Sequence, residues 1–156
     1  MDQQKHQKLI KDSIVGGVAN LVINGGIQFF MLRGETPLPL SVDSISNEEH
    51  TVLGAAVPLA ITLAMILTVI TYFNIKEAKP AFFPKVFWMV IQHGFFTFGV
   101  ITALAVLWQR YVGTVEVDLW PAVLITGLVA GVVSAVINYL TIKRCLLPEP
   151  AVGIAA

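Results

Sequence analysis

Residues 51–75 read TVLGAAVPLAITLAMILTVITYFNI and contain no Asp, Glu, Lys or Arg. As an α-helix rising about 1.5 Å per residue, this run is longer than the hydrocarbon core of a bilayer, which is about 30 Å thick. Three further runs are similarly long and also lack charged residues: 13–32, 86–109 and 119–142. A helix on the surface of a soluble protein has a polar face, whereas these runs are apolar all round. The pattern predicts an all-α integral membrane protein, an antiparallel bundle of four transmembrane helices.

The composition agrees with this fold class. Charged residues make up 13% of the chain and hydrophobic residues 56%, whereas a soluble domain carries about 25% charged residues. Such a chain has too little polar surface to cover a water-facing shell, so we expect a single transmembrane domain over residues 1–156 whose main partner is the lipid bilayer. The ten basic and ten acidic residues balance, which argues against a nucleic-acid partner.

The distribution of lysine and arginine predicts the orientation. Only Arg33 and Arg110 lie on one side of the four runs, and the other eight basic residues lie on the opposite side: Lys5, Lys8, Lys11, Lys76, Lys79, Lys85, Lys143 and Arg144. The positive-inside rule places that side, with both termini, in the cytoplasm. We expect the first run to be retained as an anchor, because no small-residue cleavage site follows it.

The segments outside the four runs are short. The longest connection, the outer loop 33–50, is rich in Pro, Ser, Asp and Asn, which predicts turns and extended chain rather than a separate domain. The last residues, 147–156, are predicted to form a disordered tail. Pro58 lies inside the second run and is expected to kink that helix or to fix its first turn.

Polar residues at one depth form the main candidate site. If each helix is centred in the bilayer, a polar band lies toward the cytoplasmic side and contains Asn20, Asn24, Gln92, His93, Ser134 and Asn138, with Thr68 and Thr71 beside them. These side chains should face the bundle interior, because an unmet hydrogen bond in hydrocarbon is costly. The band could be interhelical hydrogen bonding that only stabilises the bundle. Alternatively, it forms a site or path for a small polar solute or proton, with His93 as its titratable member.

A second group of polar residues precedes the second run. The side chains of Asp43, Glu48, Glu49 and His50 could ligate a divalent cation. However, Ser46 and Glu49 have the spacing of a helix capping box, and acids in a first turn complement the helix dipole. The cap is the favoured interpretation, so no metal site is predicted.

Small residues in the fourth run predict close helix packing. Gly127 and Gly131 form a G-x-x-x-G pair, which lets two helix backbones approach each other closely. The neighbour could be a helix of the same chain, which we favour, or a second copy of the chain in a homo-oligomer.

Several function classes are excluded by residues that the sequence lacks. None of the four runs contains Asp or Glu, whereas small multidrug-resistance transporters, also of four helices, depend on a membrane-embedded glutamate. The single cysteine, Cys145, excludes a disulfide within the chain and a cysteine-cluster metal site. A haem held by two histidines would require a second histidine at the depth of His93, and the sequence has none there. No nucleophile–base pair is visible, so we predict neither an enzyme nor a cofactor.

The Gly- and Asn-rich first run and the segment VDSISNEEHT at 42–51 resemble small four-helix bacterial membrane proteins that are often labelled permease. The resemblance extends over the whole chain and implies a location in the bacterial inner membrane, but it brings no catalytic motif. The function expected from the sequence is therefore permease-like: the polar band passes or binds a small polar solute. The alternative is a non-transporting accessory or scaffold protein whose polar band is structural.

Overall fold

Four long helices dominate the fold. A computed structural model describes residues 3–34, 37–41 and 51–146. In chain order the elements are α1 (Gln3–Leu32), β1 (Leu38–Leu40), α2 (Val52–Asn74), a π-helical turn (Phe82–Val86), α3 (Phe87–Tyr111), β2 (Val115–Val117) and α4 (Leu119–Leu146). Each of the four helices has a segment that is long and apolar enough to cross a membrane. The predicted fold class, four apolar helices, is confirmed.

Three of the helices extend beyond the apolar runs, α3 by only two residues and α1 and α4 by more. Helix α1 begins at Gln3, well before residue 13, and α4 continues past Lys143 to Leu146. Charged residues mark where an apolar run ends, but they do not stop the backbone hydrogen bonding of a helix. The added turns carry several of the basic residues at one end of the bundle, which we call the basic end. The predicted tail, 147–156, lies outside the described residues.

The helices pack mainly as a row. Helix α4 lies against α1 on one side and α2 on the other, while α3 packs on α2 and touches α4 only slightly. Helices α1 and α3 are therefore at the two edges of the row. Their large apolar side chains are correspondingly exposed, with Val22 at 64% and Phe95 at 72%.

Glycines bring α1 and α4 into close contact. A Cβ atom at Gly17 would lie 2.8 Å from the carbonyl oxygen of Gly131, and one at Gly127 would lie 3.2 Å from the carbonyl oxygen of Leu21. The G-x-x-x-G face of α4 is thus covered by α1 of the same chain. A homo-oligomer formed through Gly127 and Gly131 would have to displace α1.

A two-stranded antiparallel sheet closes the other end of the bundle, which we call the sheet end. Leu38 pairs with Val117 and Leu40 with Val115, so the connections after α1 and after α3 meet there. Leu38 and Leu40 alternate inward with period two and are 2% and 4% exposed. They pack in a cluster with Leu32, Val52 and Ala122. The sequence predicted only turns and extended chain in this region.

Helix α2 begins with a threonine cap. The hydroxyl of Thr51 accepts a hydrogen bond of 3.1 Å from the backbone N–H of Gly54, which satisfies one of the free N–H groups of the first turn. The cap of α2 is therefore Thr51, whereas the capping-box pair indicated by the sequence, Ser46 and Glu49, lies outside the described residues. The four residues weighed as metal ligands lie outside the described residues: Asp43, Glu48, Glu49 and His50.

The side chain of Lys79 caps the C-terminal end of helix α2. The ammonium of Lys79 donates to the carbonyl oxygens of Tyr72 at 2.8 Å, Phe73 at 3.3 Å and Ile75 at 2.8 Å. Carbonyls at the end of a helix have no partner within the helix and carry its negative dipole end. Lys79 also lies over the ring of Tyr72, 4.6 Å from its centre. Lys79 therefore stabilises the fold at the basic end.

Candidate functional site

His93 and Thr68 join α3 to α2 through a buried polar contact. The Nδ1 atom of His93 lies 2.8 Å from the Thr68 hydroxyl oxygen, which in turn lies 2.7 Å from the carbonyl oxygen of Ala64. His93 is 2% exposed and Thr68 is fully buried. A hydroxyl has a single proton to donate. If it goes to Ala64, the imidazole Nδ1–H donates to Thr68 and the second ring nitrogen, Nε2, holds a lone pair.

The Nε2 atom of His93 is the unusual feature of this contact. It is buried and has no hydrogen-bond partner among the described residues. Leaving a polar atom buried without a partner costs about 1–3 kcal/mol. Such an atom would accept a hydrogen bond from the O–H or N–H group of a small solute.

Asn138 and Thr71 join α4 to α2 in the same half of the bundle. The Thr71 hydroxyl donates to the Asn138 side-chain carbonyl oxygen at 2.6 Å. On its other side, the Asn138 amide nitrogen lies against α1, since a Cβ atom at Gly16 would be 2.7 Å from it. Gly16 therefore makes room for a polar side chain at the junction of three helices.

Three further members of the predicted band bond to their own helices. The Asn20 amide donates to the Gly16 carbonyl oxygen at 3.0 Å, and the Asn24 amide donates to the Asn20 carbonyl oxygen at 3.0 Å. The Ser134 hydroxyl donates to the Ala130 carbonyl oxygen at 2.7 Å. Side chains that bond four residues back satisfy themselves without a partner on a neighbouring helix.

Gln92 lies apart from these residues, at the wall of a cleft at the basic end. Its side-chain oxygen accepts a hydrogen bond of 3.0 Å from the guanidinium of Arg144, which links α3 to α4 where these helices barely touch. The cleft has a volume of about 440 Å³ and is also lined by Lys85, Trp88 and Cys145.

The structure thus divides the six predicted site residues into separate groups. His93 meets Thr68, and Asn138 meets Thr71. Asn20, Asn24 and Ser134 bond to their own helices, while Gln92 meets Arg144. Depth in the bilayer predicts which residues share a level, but the order of the helices decides which of them meet. Because α1 packs on α4 and α3 packs on α2, Asn24 and His93 lie on opposite edges of the row.

Arg144 is the residue that the sequence-based search missed. It belongs to the basic residues that follow the fourth apolar run, and those were used only to predict orientation. The position of Arg144 in α4 is the feature that could have identified it. A helix that continues through Asn138 and Tyr139 places Arg144 at the level where α3 begins.

Metal binding finds no support in the part of the chain that the structure describes. Within residues 3–34, 37–41 and 51–146, no three His, Cys, Asp or Glu residues are grouped so that they could hold an ion.

Comparison of the chain with protein-family models, with curated proteins and with solved structures gives no match. The resemblance to small permease-labelled membrane proteins therefore stays an expectation from the sequence.

Proposed function

We propose that the chain is a multi-pass protein of the bacterial inner membrane, with both termini in the cytoplasm. Four helices of membrane-spanning length and apolar composition support insertion. The concentration of lysine and arginine at the basic end supports the orientation. In this orientation the sheet end faces the outside of the cell.

Cysteine labelling in whole cells tests this orientation. In a Cys145→Ser background, Thr114→Cys places one thiol at the sheet end, and Glu77→Cys places one at the basic end; both positions are exposed. We expect a membrane-impermeant maleimide to label Thr114→Cys in intact cells and Glu77→Cys only after the membrane is opened. Labelling of Glu77→Cys alone in intact cells would reverse the orientation, and equal labelling of both would argue against a single inserted topology.

We further propose a permease-like function, in which a small polar solute passes between α2 and α3 and bonds to His93 on the way. One observation carries this proposal: the buried Nε2 atom of His93 has no hydrogen-bond partner within residues 3–34, 37–41 and 51–146. A solute with an O–H or N–H group would satisfy it. Passage requires α2 and α3 to separate transiently, because His93 and Thr68 are closed from solvent in this structure.

The second candidate function is that of a non-transporting accessory protein. It is favoured by the own-helix hydrogen bonds of Asn20, Asn24 and Ser134, which engage one amide N–H of each asparagine and the serine O–H within the same helix. In that case the polar band only stabilises the bundle, and the unpartnered nitrogen of His93 lowers the stability of the fold without having a function.

The substitution His93→Met separates the two candidates. Methionine fills the space of the ring, removes the unpartnered nitrogen and leaves the Thr68 hydroxyl bonded to Ala64. We expect thermal stability in detergent to change by less than about 1.5 kcal/mol. We also expect the uptake of glycerol or urea by proteoliposomes, followed by light scattering, to fall toward that of empty vesicles.

The matched control is Thr62→Val, which removes a hydroxyl on the exposed face of α2 that bonds only to Pro58. It should leave both stability and uptake unchanged. If wild-type vesicles take up these solutes no faster than empty ones, or if His93→Met retains full uptake, the permease proposal is wrong. Lost stability without any change in uptake would support the accessory function.

A further inference from the structure

The cleft at the basic end combines two cations with an apolar wall. Lys85 enters it from the π-helical turn before α3 and Arg144 from the end of α4, and none of the lining residues in the described part of the chain is acidic. Glu77 belongs to the connection at the same end, yet it does not line the cleft. Two positive charges at one opening favour an anion there, and the low-dielectric wall strengthens that preference.

The position of the Arg144 side chain has a specific cause. A cation in the last turn of a helix complements the helix dipole, and that alone would explain its presence at the end of α4. However, its guanidinium reaches across to Gln92 on α3 rather than back along α4. Gln92 thereby holds the guanidinium at the cleft. This bond uses one of its five N–H donors, and no other hydrogen bond of Arg144 is seen among the described residues.

The other wall of the cleft is suited to hydrocarbon. Val86 and Met89 are buried, whereas Trp88 is 59% exposed at the same level. An indole at the boundary between water and lipid commonly anchors a membrane helix among headgroups. The cleft volume, about 440 Å³, falls within the range of about 300–1,000 Å³ that is typical of ligand sites.

We propose that this cleft binds the phosphodiester headgroup of an anionic phospholipid from the cytoplasmic leaflet. The phosphate accepts charge-assisted hydrogen bonds from Arg144 and lies near Lys85, while the glycerol and first methylenes of the lipid lie along Trp88 and Met89. Basic pockets between membrane helices on the cytoplasmic side recognise lipids in this way. The inference rests on the proposed membrane orientation, but it is independent of solute passage between α2 and α3.

The apolar wall favours a lipid over free phosphate. Inorganic phosphate would engage the two cations but would leave the exposed Trp88 ring, and the small accessible part of Met89 beside it, without a partner. The charge of the two cations likewise favours a lipid with net negative charge over phosphatidylcholine, whose own ammonium group cancels that of its phosphate.

Titration of the purified full chain in detergent tests the proposal. Dioleoyl phosphatidylglycerol should raise the melting temperature saturably, whereas phosphatidylcholine and inorganic phosphate should raise it little. The double variant K85Q/R144Q should weaken the apparent affinity for phosphatidylglycerol by about tenfold or more. The matched control K76Q/K143Q removes the same charge at the same end, outside the cleft lining, and should bind as the wild type does.

Three results would overturn the lipid assignment. They are equal stabilisation by phosphatidylcholine, equal stabilisation by inorganic phosphate, and an equal loss of affinity in K76Q/K143Q, which would indicate diffuse surface charge. Fluorescence provides a second measurement if K85Q/R144Q does not fold. In W108F/W120F, Trp88 is the one remaining tryptophan. Brominated phosphatidylglycerol should quench it more than brominated phosphatidylcholine, and equal quenching would contradict the proposal.

Discussion

Leu38→Ala is expected to destabilise the sheet end more than any other single truncation proposed for this protein. Leu38 is 2% exposed and is the largest of the fully buried side chains at that end. It fills the space among Leu32, Val52 and Ala122. Removing a buried leucine side chain leaves a cavity and typically costs about 2–5 kcal/mol. The melting temperature in detergent should therefore fall, and amide hydrogen exchange in Val115–Val117 should accelerate.

Val115→Ala is the matched control for Leu38→Ala. Val115 lies in the partner strand and pairs with Leu40, but its side chain is 39% exposed. An exposed truncation usually changes stability by only about 0.5 kcal/mol. If both variants lose the same stability, then β1 does not pack onto the ends of α1, α2 and α4. If neither loses stability, the sheet contributes nothing to the bundle.

The helices could be predicted from the sequence because a long apolar run has one stable form in lipid. Backbone groups in hydrocarbon must bond within the segment, which leaves the helix as the natural solution. Strand β1 could not be predicted in the same way. Leu38-Pro39-Leu40 is only three residues long and contains a proline, which is tolerated at a sheet edge but gives no strand signal. Its partner, Val115–Val117, lies far along the chain.

The order in which the helices pack could not be predicted from the sequence either. Hydropathy does not distinguish a valine that faces lipid from one that faces a neighbouring helix. Val132 and Val133 are adjacent in α4, yet they are 61% and 7% exposed. Small residues gave the best available clue, because Gly127 and Gly131 indicated a close helix contact whose partner proved to be α1.

The sequence shows which polar residues lie within the apolar runs, but it does not show their hydrogen-bond partners. His93 and Asn138 do bond to other helices, at Thr68 and Thr71. Asn20 and Asn24 instead bond to carbonyls one turn back, an option that any asparagine or threonine has within a helix. A polar residue in an apolar run therefore does not by itself predict an interhelical contact. Its angular position and the helix facing it decide the outcome.

Gly17→Ala is expected to weaken the contact between α1 and α4. The added Cβ atom would lie 2.8 Å from the Gly131 carbonyl oxygen and 2.9 Å from the Ala135 Cβ atom. Neither of these atoms belongs to a flexible side chain, so the two helices must move apart. Such overpacking typically costs about 1–3 kcal/mol. Most of this range exceeds the gain of about 1 kcal/mol that alanine brings to a helix interior over glycine. The net loss should appear as a lower melting temperature in detergent.

Gly26→Ala, in the same helix, isolates the steric part of this effect. The two substitutions add the same methyl group to the same helix, but among the described residues no atom beyond the adjoining part of α1 lies within 4 Å of a Cβ at Gly26. Only the gain in helix propensity then remains, so Gly26→Ala should be as stable as the wild type or slightly more stable. A Gly17→Ala variant as stable as Gly26→Ala would mean that α1 does not touch α4 here. The G-x-x-x-G face of α4 would then be open to another partner, and a second copy of the chain would again be a candidate.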